Sequence, residues 1–198
     1  DYAECPKHGF YPTTYANGCE IRCKCPKCLA EELFEKRLRG AMIPRRFMNR
    51  SINNFEAVED WQINAFTKIK DYIDNLKDNL EMGKCIVMCG GVGTGKTHLA
   101  VSVAHEAMAQ GKTAVYTTVS NLILKIRDTW GTGKTMEMVD TFASADLLIL
   151  DEVGVQAGTE NEKNILFDVL NARYSDMKAT IVLSNLTQSD VAKYLGLR

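Results

Sequence analysis

Residues 90–97 read Gly-Gly-Val-Gly-Thr-Gly-Lys-Thr, and Asp151 and Glu152 close the apolar run Leu147-Leu148-Ile149-Leu150 further along the chain. The first stretch satisfies G-x-x-x-x-G-K-S/T, a spacing suited to polyphosphate. Gly90, Gly91, Gly93 and Gly95 let the chain turn with its N–H groups inward, and Val92 and Thr94 complete a cradle opening onto a helix N-terminus. Lys96 then reaches the β- and γ-phosphates, the Thr97 hydroxyl faces Mg²⁺, and His98 starts the body of the helix. Asp151, at a strand end, can hold the water shell of the ion, and Glu152 can polarise an attacking water as a general base. Asn185 follows Ser184 at the end of another apolar run, where it can sense the γ-phosphate or orient water, or simply cap the helix from Gln188. The predicted chemistry is Mg²⁺-dependent ATP hydrolysis, with Glu152, Lys96 and Asn185 as catalytic groups.

A second constellation lies near the start. Cys5-Pro6-Lys7-His8 and Cys25-Pro26-Lys27-Cys28 share a two-residue gap that lets both side chains of each pair face one ion. Cys5, His8, Cys25 and Cys28 thus predict a tetrahedral zinc site at the ends of a hairpin finger. Cys23 in place of Cys25, or Cys19 in place of His8, is the alternative. A segment this short cannot otherwise bury a core, which argues against idle thiols. Cys85 and Cys89 precede the phosphate loop and are expected as small core residues.

These groups need positioning elements. Residues 84–89 form an apolar strand before the phosphate loop, and 98–110 an Ala-rich helix closed by Gly111. Upstream, 29–39 reads as a short charged helix and 40–54 as a linker with Pro44. Val58, Trp61, Ala65, Phe66, Ile69, Tyr72, Ile73, Leu76 and Leu80 recur at helical spacing, predicting one amphipathic helix over 57–81. Downstream come a strand at 113–119, a helix capped by Ser120 or Asn121 and running to about Trp130, a helix over 134–143, the strand ending at Asp151, a helix over 160–176 and a strand at 180–183. Alternating strands and helices imply a parallel, three-layered α/β sheet. The expected division is a zinc-binding head at 1–30, a helix and linker at 31–55 and a nucleotide domain from 56.

Composition sets bounds. The 198 residues are 45% apolar, ample for one α/β domain with an appendage, and contain no apolar run of membrane-span length. No secretory signal is seen, and a chain that begins at Asp1 is expected to be preceded by further sequence. Seven cysteines beside a phosphate loop point to a reducing cytosol and to metal rather than disulfides. The net charge of −1 argues against bulk nucleic-acid binding, yet Lys36, Arg37, Arg39, Arg45, Arg46 and Arg50 occur with no acidic residue between them. Arg45, Arg46 and Arg50 suit partner docking and adenine-side packing equally. Gly131-Thr132-Gly133-Lys134-Thr135 imitates the end of a second phosphate loop, but Asp128 stands where its first Gly belongs and a helix precedes it. It reads as a loop beside a nucleic-acid path.

Ile43-Pro44-Arg45-Arg46-Phe47, Asn53-Asn54-Phe55-Glu56, GKTHLA at 95–100 and LILDEVGVQ at 148–156 together resemble the AAA+ helicase loaders of the DnaC type and the related IstB transposition helpers. The similarity runs from about Arg45 to Arg198, and Tyr194-Leu195-Gly196-Leu197-Arg198 is similar to the family's L-G-E-R segment with Leu197 for Glu. The resemblance implies an AAA+ P-loop ATPase core and a bacterial cytosolic protein, of host or phage, that delivers a hexameric replicative helicase to single-stranded DNA, the IstB-like role being the alternative. It also implies self-association through AAA+ domains and family roles for Lys96, Thr97, Asp151, Glu152 and Asn185. The trans-acting finger segment, a last strand and a lid are implied to lie beyond Arg198. Within assembled rings, Lys125, Arg127 and Lys134 are the expected strand contacts.

Overall fold

The computed structural model describes residues 2–16, 19–21, 24–155 and 159–194, with backbone alone for 14–16 and 19–21. The N-terminal part holds two antiparallel pairs, β1 (Tyr2–Cys5) with β2 (Gly9–Pro12) and β3 (Thr14–Ala16) with β4 (Cys19–Ile21). Helix α1 (Pro26–Gly40) follows, longer at its start than its charge pattern predicts because Pro26, lacking an N–H, suits a first helical turn. Two 3₁₀ turns, Arg45–Phe47 and Ile52–Asn54, lead to α2 (Asp60–Asp74) and α3 (Leu76–Glu81). The remaining elements are β5 (Ile86–Cys89), α4 (Lys96–Ala109), β6 (Ala114–Thr118), α5 (Val119–Arg127), α6 (Thr135–Ala143), β7 (Leu147–Asp151), α7 (Glu160–Ser175), β8 (Ala179–Ser184) and α8 (Gln188–Tyr194).

Strands β5, β8, β7 and β6 lie side by side in that order, all parallel, as the β/α alternation requires. Their carboxyl ends therefore meet at one rim, where Cys89 pairs with Ser184 and Thr118 with Asp151. One face of the sheet packs Leu99, Val103 and Ala107 of α4 with Ile69, Tyr72 and Leu76. The other packs Leu122 and Ile126 of α5, Phe142 of α6 and Leu166 and Val169 of α7.

Four expectations are corrected. Cys85 and Cys89, expected as core, are exposed among the described residues, where β5 is the outermost of the four sheet strands, and Val87 beside them is 50% exposed. The helix expected over 57–81 breaks at Asn75, whose side chain caps Asp71 O at 2.9 Å while buried Asn79 donates to Tyr72 O at 2.9 Å. Val58 and Trp61 fall outside its buried stripe. The helix after β6 is capped by Thr118, whose Oγ1 accepts from Asn121 N at 3.2 Å, and it ends at Arg127. Within the expected linker, Ala41 and Ile43 are core residues, joined there by Phe34 and Leu38 of α1. Ala41 O also accepts the Tyr116 N–H at 2.8 Å, which ties the end of α1 to the outer edge of β6.

Arg173 of α7 is 1% exposed. Its Nη1 donates to Phe142 O, Ala143 O and Ala145 O at 2.8, 3.0 and 2.7 Å, its Nη2 to Ala179 O, and its Nε to Thr180 Oγ1 at 3.0 Å. Burial lowers its pKa to about 10, so it stays a cation at neutral pH, placed at the carbonyl end of α6 where a positive charge is favoured. Arg173→Leu strands these carbonyls and is expected to cost about 3–5 kcal/mol. Urea titration of both proteins measures this.

Candidate functional site

The phosphate loop joins β5 to α4, and its shape follows from its glycines. Gly95, the residue before α4, has φ +89°, and a Cβ there would lie 2.6 Å from the Phe55 ring, so only glycine suits it. Lys96 Nζ donates to Gly90 O and Gly91 O at 2.7 Å each, to Thr94 Oγ1 at 3.3 Å and to Asn185 Oδ1 at 3.1 Å. Partial burial lowers its pKa, and the Asp151 carboxylate acts against that shift. Asn185, immediately after β8, is thus brought to the phosphate loop beside Lys96.

Asp151 ends β7 across the rim. Its Oδ2 accepts from Thr97 Oγ1 at 3.0 Å and from the Tyr116 hydroxyl at 2.7 Å, while its Oδ1 accepts the Glu152 N–H at 2.7 Å. Glu152 has φ +60°, an uncommon conformation for a side-chain-bearing residue that turns the chain sharply off the strand. A cavity of about 470 Å³ is lined by Val92 through His98, Asp151, Glu152 and Asn185, together with Arg46, Phe47 and Arg50. A hard cation fits between the Thr97 hydroxyl and the Asp151 carboxylate, which are oxygen donors of the type Mg²⁺ takes.

His98 borders this cavity but its ring turns away from the loop. Nε2 lies 2.9 Å from both Ser51 O and Asn54 Oδ1, and Phe55 packs edge-on against the ring at 5.1 Å. The residue therefore pins the 51–55 turn to the first turn of α4. Its motif position showed proximity to phosphate but not this direction. Tyr116 was also missed, since nothing local in a strand sequence signals a partner on another strand.

At the other end of the chain, Cys5, His8, Cys25 and Cys28 offer four ligand atoms all within 4.8 Å of one another. Cys5 Sγ is 3.6 Å from Cys28 Sγ, and His8 Nδ1 lies 3.7, 3.6 and 3.4 Å from the sulfurs of Cys5, Cys25 and Cys28. Around a tetrahedral zinc ion with bonds of about 2.3 Å to sulfur and about 2.0 Å to nitrogen, such edges come to about 3.5–3.8 Å. The residues fit that ion. Nδ1 is the ring atom facing inward, and Nε2 lies 3.1 Å from Glu31 Oε1, a carboxylate–histidine contact that orients the ring. The Lys7 backbone N–H is the main cause that lowers the Cys5 thiol to about 6, whereas hydrogen bonding to Cys5 raises Cys28 to about 11. Cys25 immediately precedes α1 and Cys28 and Glu31 lie within it, so the cluster is built on this helix. Cys23 and residues 195–198 lie outside the described residues, as does the Cys19 side chain.

The expected strand contacts are dispersed. Arg127 pairs with Glu162 at 3.6 Å, Lys125 Nζ lies 3.1 Å from Met42 Sδ, and Lys134 caps α6 from the exposed 131–134 loop beside Trp130, itself 49% exposed. No helix among the described residues is long and apolar enough to cross a membrane.

Comparison with known proteins accords with this geometry. The replicative helicase loader DnaC of Escherichia coli K12 is 30% identical over 152 residues, which cover 76% of this chain and 61% of that one, so the chain spans about three-fifths of this relative's length. Among solved structures, a DnaC helicase loader superposes with a TM-score of 0.71 at 24% identity over 77% of this chain and 90% of its own. The replication initiator DnaA bound to AMPPCP and single-stranded DNA gives 0.63 at 24% over 78% and 49%. The shared architecture is the AAA+ core fold. Residues 30–196 match the IstB-like ATP binding protein family, which takes in the phosphate loop, Asp151, Glu152 and Asn185, and the chain belongs to that family.

Proposed function

We propose that this protein is a cytosolic, Mg²⁺-dependent ATPase that engages a ring-shaped replicative helicase through its zinc-bound head and delivers it to single-stranded DNA. The observation that carries the reading is the joining of two sites by one helix: a four-ligand metal cluster at the start of α1, and an ATP site whose neighbouring strand holds the end of α1. The name of its 30%-identical relative favours helicase loading over the transposition alternative.

In the nucleotide site, the loop N–H groups and Lys96 hold the phosphates, and Asn185 fixes the ammonium from the end of the neighbouring strand. Thr97 and Asp151 would hold Mg²⁺ beside the phosphates, where it would supply charge neutralisation. Glu152 takes the proton of the attacking water. Cys5, His8, Cys25 and Cys28 would hold Zn²⁺, which would supply folding energy to a head too small to have its own core.

DNA binding is assigned to the assembled protein. With near-neutral net charge, each subunit contributes few phosphate contacts, Lys125, Arg127 and Lys134 among them, and Trp130 beside them offers a face for a base. Labelled single-stranded DNA titrated with ATP, ADP or no nucleotide, with and without hexameric helicase, is expected to bind weakly to the isolated chain. Binding should strengthen with ATP and helicase together and weaken with salt. Preference for duplex, or indifference to nucleotide and helicase, moves the function to the transposition helpers.

A further inference from the structure

The Asp151 carboxylate is held by donors from three elements. Thr97 of α4 and Tyr116 of β6 share Oδ2, and the Glu152 backbone takes Oδ1. The terminal torsion of an aspartate is broad and roughly two-fold, so a carboxylate with fewer donors samples a wide arc. A Thr97 hydroxyl that turns a lone pair toward a cation is a weaker guide for that arc. The phenol suffers no such competition. It sits on a residue that is 6% exposed, on the strand paired with β7, with its hydroxyl 2.7 Å from Asp151 Oδ2. It is therefore a donor fixed by its packing.

From this geometry we infer that Tyr116 is a positioning residue for the divalent cation: its hydroxyl fixes the rotation of the Asp151 carboxylate so that one oxygen is presented to Mg²⁺ or to its water shell. The inference rests on the ATP–Mg²⁺ reading of the site. It assigns Tyr116 no contact with nucleotide and no proton transfer. Donors behind a metal-ligating group characteristically change metal affinity by about 10- to 100-fold when removed.

Tyr116→Phe deletes one oxygen and keeps the ring that packs in the core. Affinity for a fluorescent ATP analogue is measured in EDTA and across a Mg²⁺ titration, with the melting temperature of each protein recorded. The expected result is unchanged affinity in EDTA and a Mg²⁺ midpoint raised about 10-fold. An unchanged Mg²⁺ midpoint overturns the inference. Equal weakening with and without Mg²⁺ also overturns it, because a phenol that only braces the loop would have that effect. Wild-type affinity that ignores Mg²⁺ removes the underlying reading of the site and the inference with it, an outcome separable from the other two by the wild-type curve alone.

Discussion

Lys96→Ala is expected to lower ATP affinity by at least about 100-fold, because it deletes a partly buried cation whose contacts with phosphate are charge-assisted and worth about 3 kcal/mol or more. Lys96 Nζ stands at the centre of the loop, within reach of two loop carbonyls and of Asn185. Glu152→Gln is expected to bind ATP as the wild type does and to lose about 10²–10⁴ in turnover, the usual contribution of a positioned general base. Equilibrium binding of a fluorescent ATP analogue and steady-state phosphate release measure the two effects. Equal nucleotide affinity in wild type and Lys96→Ala sinks the site assignment. Normal hydrolysis by Glu152→Gln sinks only the assignment of the water-activating group.

Metal analysis is expected to find one Zn²⁺ per chain, and its removal should have the largest effect on stability. Apparent binding energies for structural zinc are about 10–16 kcal/mol near neutral pH, more than a small head can replace by packing. A strong chelator should therefore abolish backbone protection in β1, β2 and the first turn of α1, while ATP binding by the sheet persists. Cys25→Ser should lose the metal and Cys23→Ser should keep it. Metal loss in Cys23→Ser alone refutes the ligand set. Hydrogen exchange adds a sharper requirement: protection at Ala41 and beyond must survive chelation, because Phe34, Leu38, Ala41 and Ile43 pack with the nucleotide-site core.

The phosphate loop was legible because its chemistry is local: eight consecutive residues dictate the turn, and a strand and a helix on either side confirm it. The grouping of Cys5, His8, Cys25 and Cys28 was legible for the same reason, each pair fitting within four residues. Direction and partnership were not. His98 belongs to the motif, yet its ring is committed to Ser51 and Asn54, far away in sequence. Arg173 reads as an ordinary basic residue near a helix end until α6 and β8 bring five acceptors around it. Cys85 and Cys89 have the apolar neighbours of a central strand, yet β5 is outermost among the four described sheet strands, and strand order is not written in local apolar spacing. The Asn75 break escaped notice because apolar spacing continues through it.

Helix α1 is a single uninterrupted rod of 15 residues, about 22 Å long. Cys25 precedes its first residue and Cys28 lies in its first turn, while at the other end Leu38 O accepts the Ala41 N–H and Ala41 O accepts the N–H of Tyr116 in β6. Tyr116 in turn touches Asp151. One helix and two hydrogen bonds thus connect the metal cluster to the carboxylate of Asp151. A shift of β6 on ATP binding would, by reciprocity, be matched by an equal change in the affinity of the head for a bound partner.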